Sequence, residues 1–263
     1  MRDLYRFLLK YFLTLLAVIR AYTLGVFVKR YRFLIDLITD NTKVAEVPGL
    51  SNLKIRTVPP RDVLDFIDGP LAYPIGVDGN VTTKEVIVIN HLVKTYNPKR
   101  IFEIGTFNGR TTLNLALNSR PDAEVFTLDL PDGKAGMSGP DVERPVAKCE
   151  RQTATGRLFL ESNFPEAKKI VQLFGDSTAF DFSPYYGNID FVFVDGSHEY
   201  EYVKKDTNTA FELLKDGRGV IVWHDYGYVF PGVVKALNEF YENEPFDKMI
   251  RVGLTTLVYL ILD

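Results

Sequence analysis

The chain has one cysteine, Cys149, so it cannot form an internal disulfide. It contains no C-x-x-C pair and no zinc-finger spacing, which excludes a thiolate-built metal centre. A single thiol fits a reducing compartment, and the cytoplasm is the expected location. Charge is scarce in net terms: −3 over 263 residues, with no general pull toward nucleic acid. Histidine is rarer than most residues, at three, so the position of each is informative. No internal repeat and no low-complexity tract occurs. What is present is ordinary for a globular protein: 46% hydrophobic and 25% charged residues, enough for a sizeable core. The length fits one α/β domain with appendages, or at most two small domains.

The balance is uneven along the chain. Residues 1–40 hold seven Lys/Arg and three Asp/Glu. Between Lys10 and Lys29 the only charge is Arg20, and this run is just long enough to span a bilayer. Arg20 at its middle would cost about 2.5–3.5 kcal/mol on insertion scales. Arg2, Arg6, Lys10, Thr14, Ala17 and Arg20 recur at helical steps. A basic amphipathic helix with Tyr, Phe and Leu opposite reads as an interfacial anchor at the cytoplasmic face of a membrane. A true span, or a helix packed on its own domain or on a second subunit of a homo-oligomer, stays open. A cleaved signal peptide does not fit, because no small-residue cleavage site follows the apolar run.

Residues 41–81 are rich in Pro, Gly and Asp and read as a connector, with a short helix near Arg61–Ile67. From Thr82 the pattern alternates. Helices are predicted at Thr82–Thr95, Arg110–Leu117, Glu199–Leu214 and Pro231–Tyr241. Strands are predicted at Arg100–Ile104, Glu124–Leu130, Lys169–Phe174, Asp190–Val194, Gly219–Trp223, Met249–Gly253 and Thr256–Leu262. This is an α/β fold: a seven-stranded, mostly parallel, Rossmann-like sheet with helices on both faces. The last two strands are too close in sequence for a helical crossover and should form an antiparallel edge hairpin. Residues 131–165 interrupt the rhythm. A loop of that length at a strand's carboxyl end reads as a lid or substrate-contacting segment, with a solvated insertion as the alternative.

Ile101-Phe-Glu103-Ile-Gly105-Thr106-Phe107-Asn-Gly109-Arg-Thr111 is a strand, a tight turn and a helix start. A dinucleotide site would want G-x-G-x-x-G; this chain has E-x-G-x-x-x-G. Glu103 would repel a diphosphate but suit a cationic ligand. Asp129 ends the second strand, where an acid can hydrogen-bond a ribose diol. Gly175-Asp176-Ser177 follows the third. This set resembles class I S-adenosylmethionine-dependent methyltransferases over roughly residues 82–263. The resemblance implies Gly105 and Gly109 against the methionine part of the cofactor, Thr111 near its carboxylate, Asp129 on the ribose and Asp176/Ser177 near the adenine. It also places Glu103, Thr106 and Phe107 among the cofactor-binding residues.

Asp195-Gly-Ser-His198 follows one apolar run and Trp223-His224-Asp225-Tyr226 follows the next. Side chains that end neighbouring parallel strands converge at the sheet's carboxyl edge. Oxygen and imidazole donors there suit Mg²⁺ or a similar divalent ion, and an imidazole can take a proton near neutral pH. The D-G-S-H-x-Y…H-D-Y pattern resembles metal-dependent O-methyltransferases, in the macrocin O-methyltransferase-like and cephalosporin-hydroxylase-like branch. Catechol-type relatives carry Asp-Asn at His224-Asp225 and Lys at His198. The resemblance implies Asp195, His224 and Asp225 as metal ligands, His198 as catalytic base, and a small-molecule or sugar acceptor. A hydroxylase-associated role and a non-catalytic, membrane-docked scaffold are the rival functions. Structural roles stay open for His198, in a helix's first turn behind Ser197, and for His224, beside Trp223. His91 reads as structural. Lys204, Lys205 and Asp206 read as a solvated helix face, with Asp206 alternatively bracing the site. Tyr185, Tyr186, Tyr200, Tyr202, Tyr226, Tyr228 and Phe230 would either line the site mouth or pack at the sheet edge.

Overall fold

The computed structural model describes residues 52–64, 69–77, 79–131 and 155–263. The basic segment 1–40, Cys149 and most of the interruption at 131–165 lie outside the described residues. Among the described residues no helix is long and apolar enough to cross a membrane. The strands are β1 (Thr57–Val58), β2 (Arg100–Ile104), β3 (Glu124–Asp129), β4 (Ile170–Phe174), β5 (Phe191–Val194), β6 (Gly219–Trp223), β7 (Ile250–Val252) and β8 (Val258–Leu262). The helices are α1 (Thr83–Tyr96), α2 (Arg110–Asn118), α3 (Arg157–Leu160), α4 (Tyr200–Leu213) and α5 (Pro231–Tyr241). One sheet runs in the order β1-β7-β8-β6-β5-β2-β3-β4. β8 pairs antiparallel with both β6 and β7, and every other pairing is parallel. The expected terminal hairpin is therefore present. The sheet has eight strands rather than seven, because Thr57–Val58 adds to β7 at the edge.

Strands buried on both faces read as continuous apolar runs, which explains Phe191-Val-Phe-Val194 and Val220-Ile-Val-Trp223. Alternate side chains then sort to opposite faces. Ile101, Val125, Phe191, Phe193, Val220 and Val222 pack with Val86, Ile89 and Val93 of α1 and Leu115 of α2. Phe102, Ile104, Phe126, Leu128, Val192, Val194, Ile221 and Trp223 pack with α4 and α5 through Val203, Ala210, Leu213, Val233 and Leu237. Tyr185 belongs to this second layer, edge-on to Phe102 and Phe126. Tyr226 does too: it is wholly buried, and its hydroxyl bonds Asn238 Oδ1 at 2.5 Å. Neither lines a mouth.

Two local devices fix the chain around the carboxyl edge. α1 opens with a capping box: Thr82 accepts from the Glu85 backbone N–H, and the Glu85 carboxylate accepts from the Thr82 N–H at 2.9 Å. Arg110, at the start of α2, is 1% exposed and donates to the carbonyls of Tyr73 and Val81, both at 2.6 Å. A buried guanidinium is tolerable only when its donors are satisfied, and these bonds fasten the connector over the start of α2.

Candidate active site

Chain connections leave β2 and β5 in opposite directions across the sheet, so the gap between their carboxyl ends is the switch point where open α/β sheets place ligands. The Gly105–Gly109 turn sits there. Asp129 organises it: Oδ2 accepts from the N–H groups of Thr106 at 2.9 Å and Phe107 at 2.7 Å, and Oδ1 from Leu130 N–H at 2.7 Å. Phe107 holds a positive φ of 47°, a conformation that costs energy in a non-glycine residue. Gly109 has φ 82°, and a Cβ there would lie 2.5 Å from the Phe159 ring. Gly156 N–H bonds Phe107 O at 2.8 Å and Leu158 N–H bonds Asn108 O at 2.9 Å. The returning end of the 131–165 interruption is thus seated on the turn itself. Thr111, one residue into α2, is buried.

Glu103 does not face this gap. Period-2 alternation turns it to the same side as Ile101, where it is fully enclosed. Its Oε2 accepts from the hydroxyls of Thr112 and Thr127, and the Thr127 hydroxyl also meets Thr106 Oγ1 at 2.6 Å. Burial pushes the carboxyl up to about 8 against the two hydroxyl bonds. A neutral acid gives a cationic ligand no counter-charge, so Glu103 instead fastens α2 to β2 and β3. A group whose folded pKa lies above its unfolded value favours folding most below the unfolded value, and that contribution is lost as pH rises through the folded one. The pH window therefore runs from about 4.5 to about 8, with a span of roughly 5 kcal/mol. Glu103→Gln should be more stable than wild type at pH 8 relative to pH 5, read as the difference in urea midpoints. A difference that does not change with pH would remove Glu103 from this account.

At the end of β4, Asp176 Oδ1 accepts from Thr178 N–H at 2.8 Å and from its hydroxyl at 2.7 Å, and Oδ2 from the Tyr202 hydroxyl at 3.2 Å. Despite some burial, these bonds hold its carboxyl below the usual range. Ser177 lies beside Asp206 of α4, whose carboxyl is pushed up to about 7 by burial, against the Ser177 hydroxyl. Asp206 is 1% exposed and not on a solvated face. Its expected neighbours Lys204 and Lys205 point elsewhere, to Tyr200 and Thr178.

The ends of β5 and β6 bring four expected residues together. His224 Nδ1 is 2.9 Å from Asp195 Oδ1 and 3.3 Å from Asp225 Oδ2. His198 Nε2 is 2.7 Å from Asp225 Oδ2, and its ring stacks on Phe230 at 4.0 Å between centroids. His224 Nε2 faces Glu85 Oε2 at 3.2 Å. Burial disfavours a charged His224, but Asp195, Asp225 and Glu85 together raise its pKa well above the ordinary value. Burial also opposes charge on His198, and Asp225 overrides it, raising the pKa. Asp225 is held well below the carboxylate range against its own burial by the two imidazoles. Asp195 is pushed up by burial, although His224 opposes this. His198 is the most open of the four, at 39% side-chain exposure against 18% or less for the others. The arrangement can hold a cation among Asp195, His224 and Asp225, whose ligand atoms lie within 4.8 Å of one another. It also presents one partly exposed imidazole backed by a carboxylate, the pairing used in general-base chemistry.

Two residues of this site escaped the sequence reading. Glu85 was legible only as the acid of a capping box, T-x-x-E. Thr256, in the β7–β8 turn, donates N–H and hydroxyl to Glu85 Oε1 at 2.7 and 2.9 Å and accepts the Asp225 N–H at 3.2 Å.

Residues 102–226 match a family model described as a methyltransferase domain. No curated protein matches the chain. Among solved structures, cofactor-bound Rv0187 from MTB is 18% identical, with 87% of this chain and 95% of that one covered and a TM-score of 0.47. The O-methyltransferase TomG from Streptomyces achromogenes, involved in tomaymycin synthesis and solved with SAM, is 17% identical, with coverage of 87% and 96% and a TM-score of 0.47. An O-methyltransferase from Bacillus cereus in complex with SAH is 15% identical, with coverage of 87% and 97% and a TM-score of 0.46. The family match spans the stretch from the glycine turn to the His224–Tyr226 strand end, and over residues 102–226 the chain is similar to a methyltransferase domain.

Proposed function

We propose that the chain transfers a methyl group to a hydroxyl of a small molecule, with a saccharide or glycoconjugate as the leading acceptor class. The observation that carries this reading is the 2.7 Å bond between His198 and Asp225 beside the Asp195–His224 pair, at the carboxyl edge of the sheet. Bound S-adenosylmethionine supplies the electrophilic methyl. Gly105, Thr106, Phe107, Gly109 and Thr111 form the turn that would seat its methionine part, Asp129 would take the ribose, and Asp176 and Ser177 would flank the adenine. Asp129 stands in the right place for that part: it ends β3 and holds the Thr106 and Phe107 N–H groups of the turn. His198 takes the acceptor's hydroxyl proton, and Asp225 orients its ring and stabilises the imidazolium that results.

The donor set also fits a divalent ion, Mg²⁺ foremost. A ligating histidine commonly gives its second N–H to a carboxylate, and Glu85 stands at His224 Nε2 while Nδ1 faces Asp195 and Asp225. A divalent ion there supplies positive charge that lowers the pKa of a nearby hydroxyl. The basic, apolar segment 1–40 supports peripheral membrane contact at the cytoplasmic face, and hence an acceptor at or near a membrane.

Calorimetric titration of S-adenosylmethionine into the full chain, with Mg²⁺ and then with chelator, tests the reading. Micromolar binding, about −8 kcal/mol, is the expected result, with a heat that changes when Mg²⁺ is removed. No binding in either condition would sink the cofactor assignment and favour a scaffold.

A further inference from the structure

Glu85 lies outside the matched domain, on α1, yet its carboxylate reaches the strand-end cluster. It is 2% exposed, and both oxygens are occupied. Oε2 accepts from Thr82 N–H and hydroxyl at 2.9 and 2.7 Å and faces His224 Nε2 at 3.2 Å. Oε1 accepts from Thr256 N–H and hydroxyl at 2.7 and 2.9 Å. Capping α1 needs only the Thr82 contacts; the others are directed at the site.

We propose that Glu85 is a positioning residue for the site: by taking the Nε2–H of His224 it commits the opposite ring nitrogen, Nδ1, to the gap between Asp195 and Asp225. Which nitrogen of an imidazole faces a ligand is set by the bond the other makes. Without Glu85 the ring is free to present either nitrogen, or to turn away. The same carboxylate acts on the next residue through Thr256. Asp225 has a positive φ of 62°, which a non-glycine residue holds only when its surroundings impose it. Thr256 supplies that restraint, since its hydroxyl accepts the Asp225 N–H and its carbonyl accepts the Tyr226 N–H at 2.9 Å. Glu85 therefore braces two consecutive residues, one by the ring and one by the backbone. The role toward a metal rests on the reading given under Proposed function; the role toward the His224 ring does not.

The test uses the metal-free full chain with ¹⁵N-labelled histidine. Wild type should show one exchange-protected Nε2–H of His224, assigned by its absence from His224→Gln. Glu85→Gln should lose that protection, and Thr82→Ala, which removes the cap and one hydroxyl bond to Oε2 but leaves the carboxylate held by the Thr82 N–H and by Thr256, should keep it. If Glu85→Gln fails to fold, Glu85→Asp retains the charge but withdraws the oxygens by one methylene, and it should lose the same signal. A protected signal surviving in the Glu85 variant would overturn the proposal. Counting free Mn²⁺ by electron paramagnetic resonance gives a second arm. Wild type and Thr82→Ala should bind alike, and Glu85→Gln about 10–100-fold more weakly. Wild type that binds no Mn²⁺ would end the metal reading alone, and the ring signal would still decide for or against Glu85.

Discussion

Turnover is expected to fall about 10²–10⁴-fold when His198 becomes Ala, the usual worth of a positioned general base. The affinity for S-adenosylmethionine should move by no more than about 0.5 kcal/mol, the scale of substitutions away from a buried feature. The asymmetry follows from position. His198 stands at the open side of the cluster, stacked on Phe230 and tied to Asp225, whereas the glycine turn is organised by Asp129 through its own backbone bonds. Asp195→Ala should also lose turnover, for a different reason: it strips one of the carboxylates that surround the His224 ring. The measurement is acceptor-dependent release of S-adenosylhomocysteine, with calorimetry of the cofactor alongside. Both variants keeping full activity would remove these residues from the mechanism. A fall in cofactor affinity as large as the fall in rate would mean that His198 shapes the binding site rather than the proton transfer.

The sheet could be read from the chain because buried parallel strands leave unbroken apolar runs, as in Phe191–Val194 and Gly219–Trp223. The chemical cluster was legible for a related reason. Asp195 and His224-Asp225 directly follow those runs, so sheet topology alone brings them to one edge. Glu85 was not legible as a site residue, because its partners His224 and Thr256 are 139 and 171 positions away and nothing local marks a tertiary contact. β1 has two residues, too few to show a period. Asp206 looked solvated because Lys204 and Lys205 precede it. Yet Val203, Asp206 and Ala210 are spaced three and four apart and are all buried, so the helical period outranks the neighbours' charge. Of the two roles open to Tyr226, lining the mouth or packing, the structure shows packing, though in the core rather than at the sheet edge. It follows the functional pair in sequence, but its hydroxyl turns into the core toward Asn238 and the Ile55 N–H.

Gly105→Ala should unfold the domain or cost more than about 4 kcal/mol, beyond the range of ordinary substitutions. Gly105 has φ 102°, and a Cβ there would fall inside the Asp195 carbonyl group and 2.8 Å from Gly196 N. The obstruction is backbone on both sides, so no side chain can swing clear. Neither strand end can retreat: Gly105 N–H is bonded to Leu128 O at 2.8 Å, and Asp195 N–H to Ile104 O at 2.8 Å. The glycine is therefore what lets β2 and β5 close to sheet spacing at their carboxyl ends, which sets the distance between the glycine turn and Asp195. Gly187 separates this effect from backbone conformation alone. It too has positive φ, at 62°, but a Cβ there would meet nothing within 4 Å, so Gly187→Ala should cost about 1–2 kcal/mol. Urea unfolding of the two variants beside wild type gives the comparison. Equal, small losses would show that the strand ends yield, and that the gap between cofactor turn and catalytic cluster is not fixed by this close approach. A large loss at Gly105 alone would place the geometry of the site in the packing of two backbones rather than in the side chains that line it.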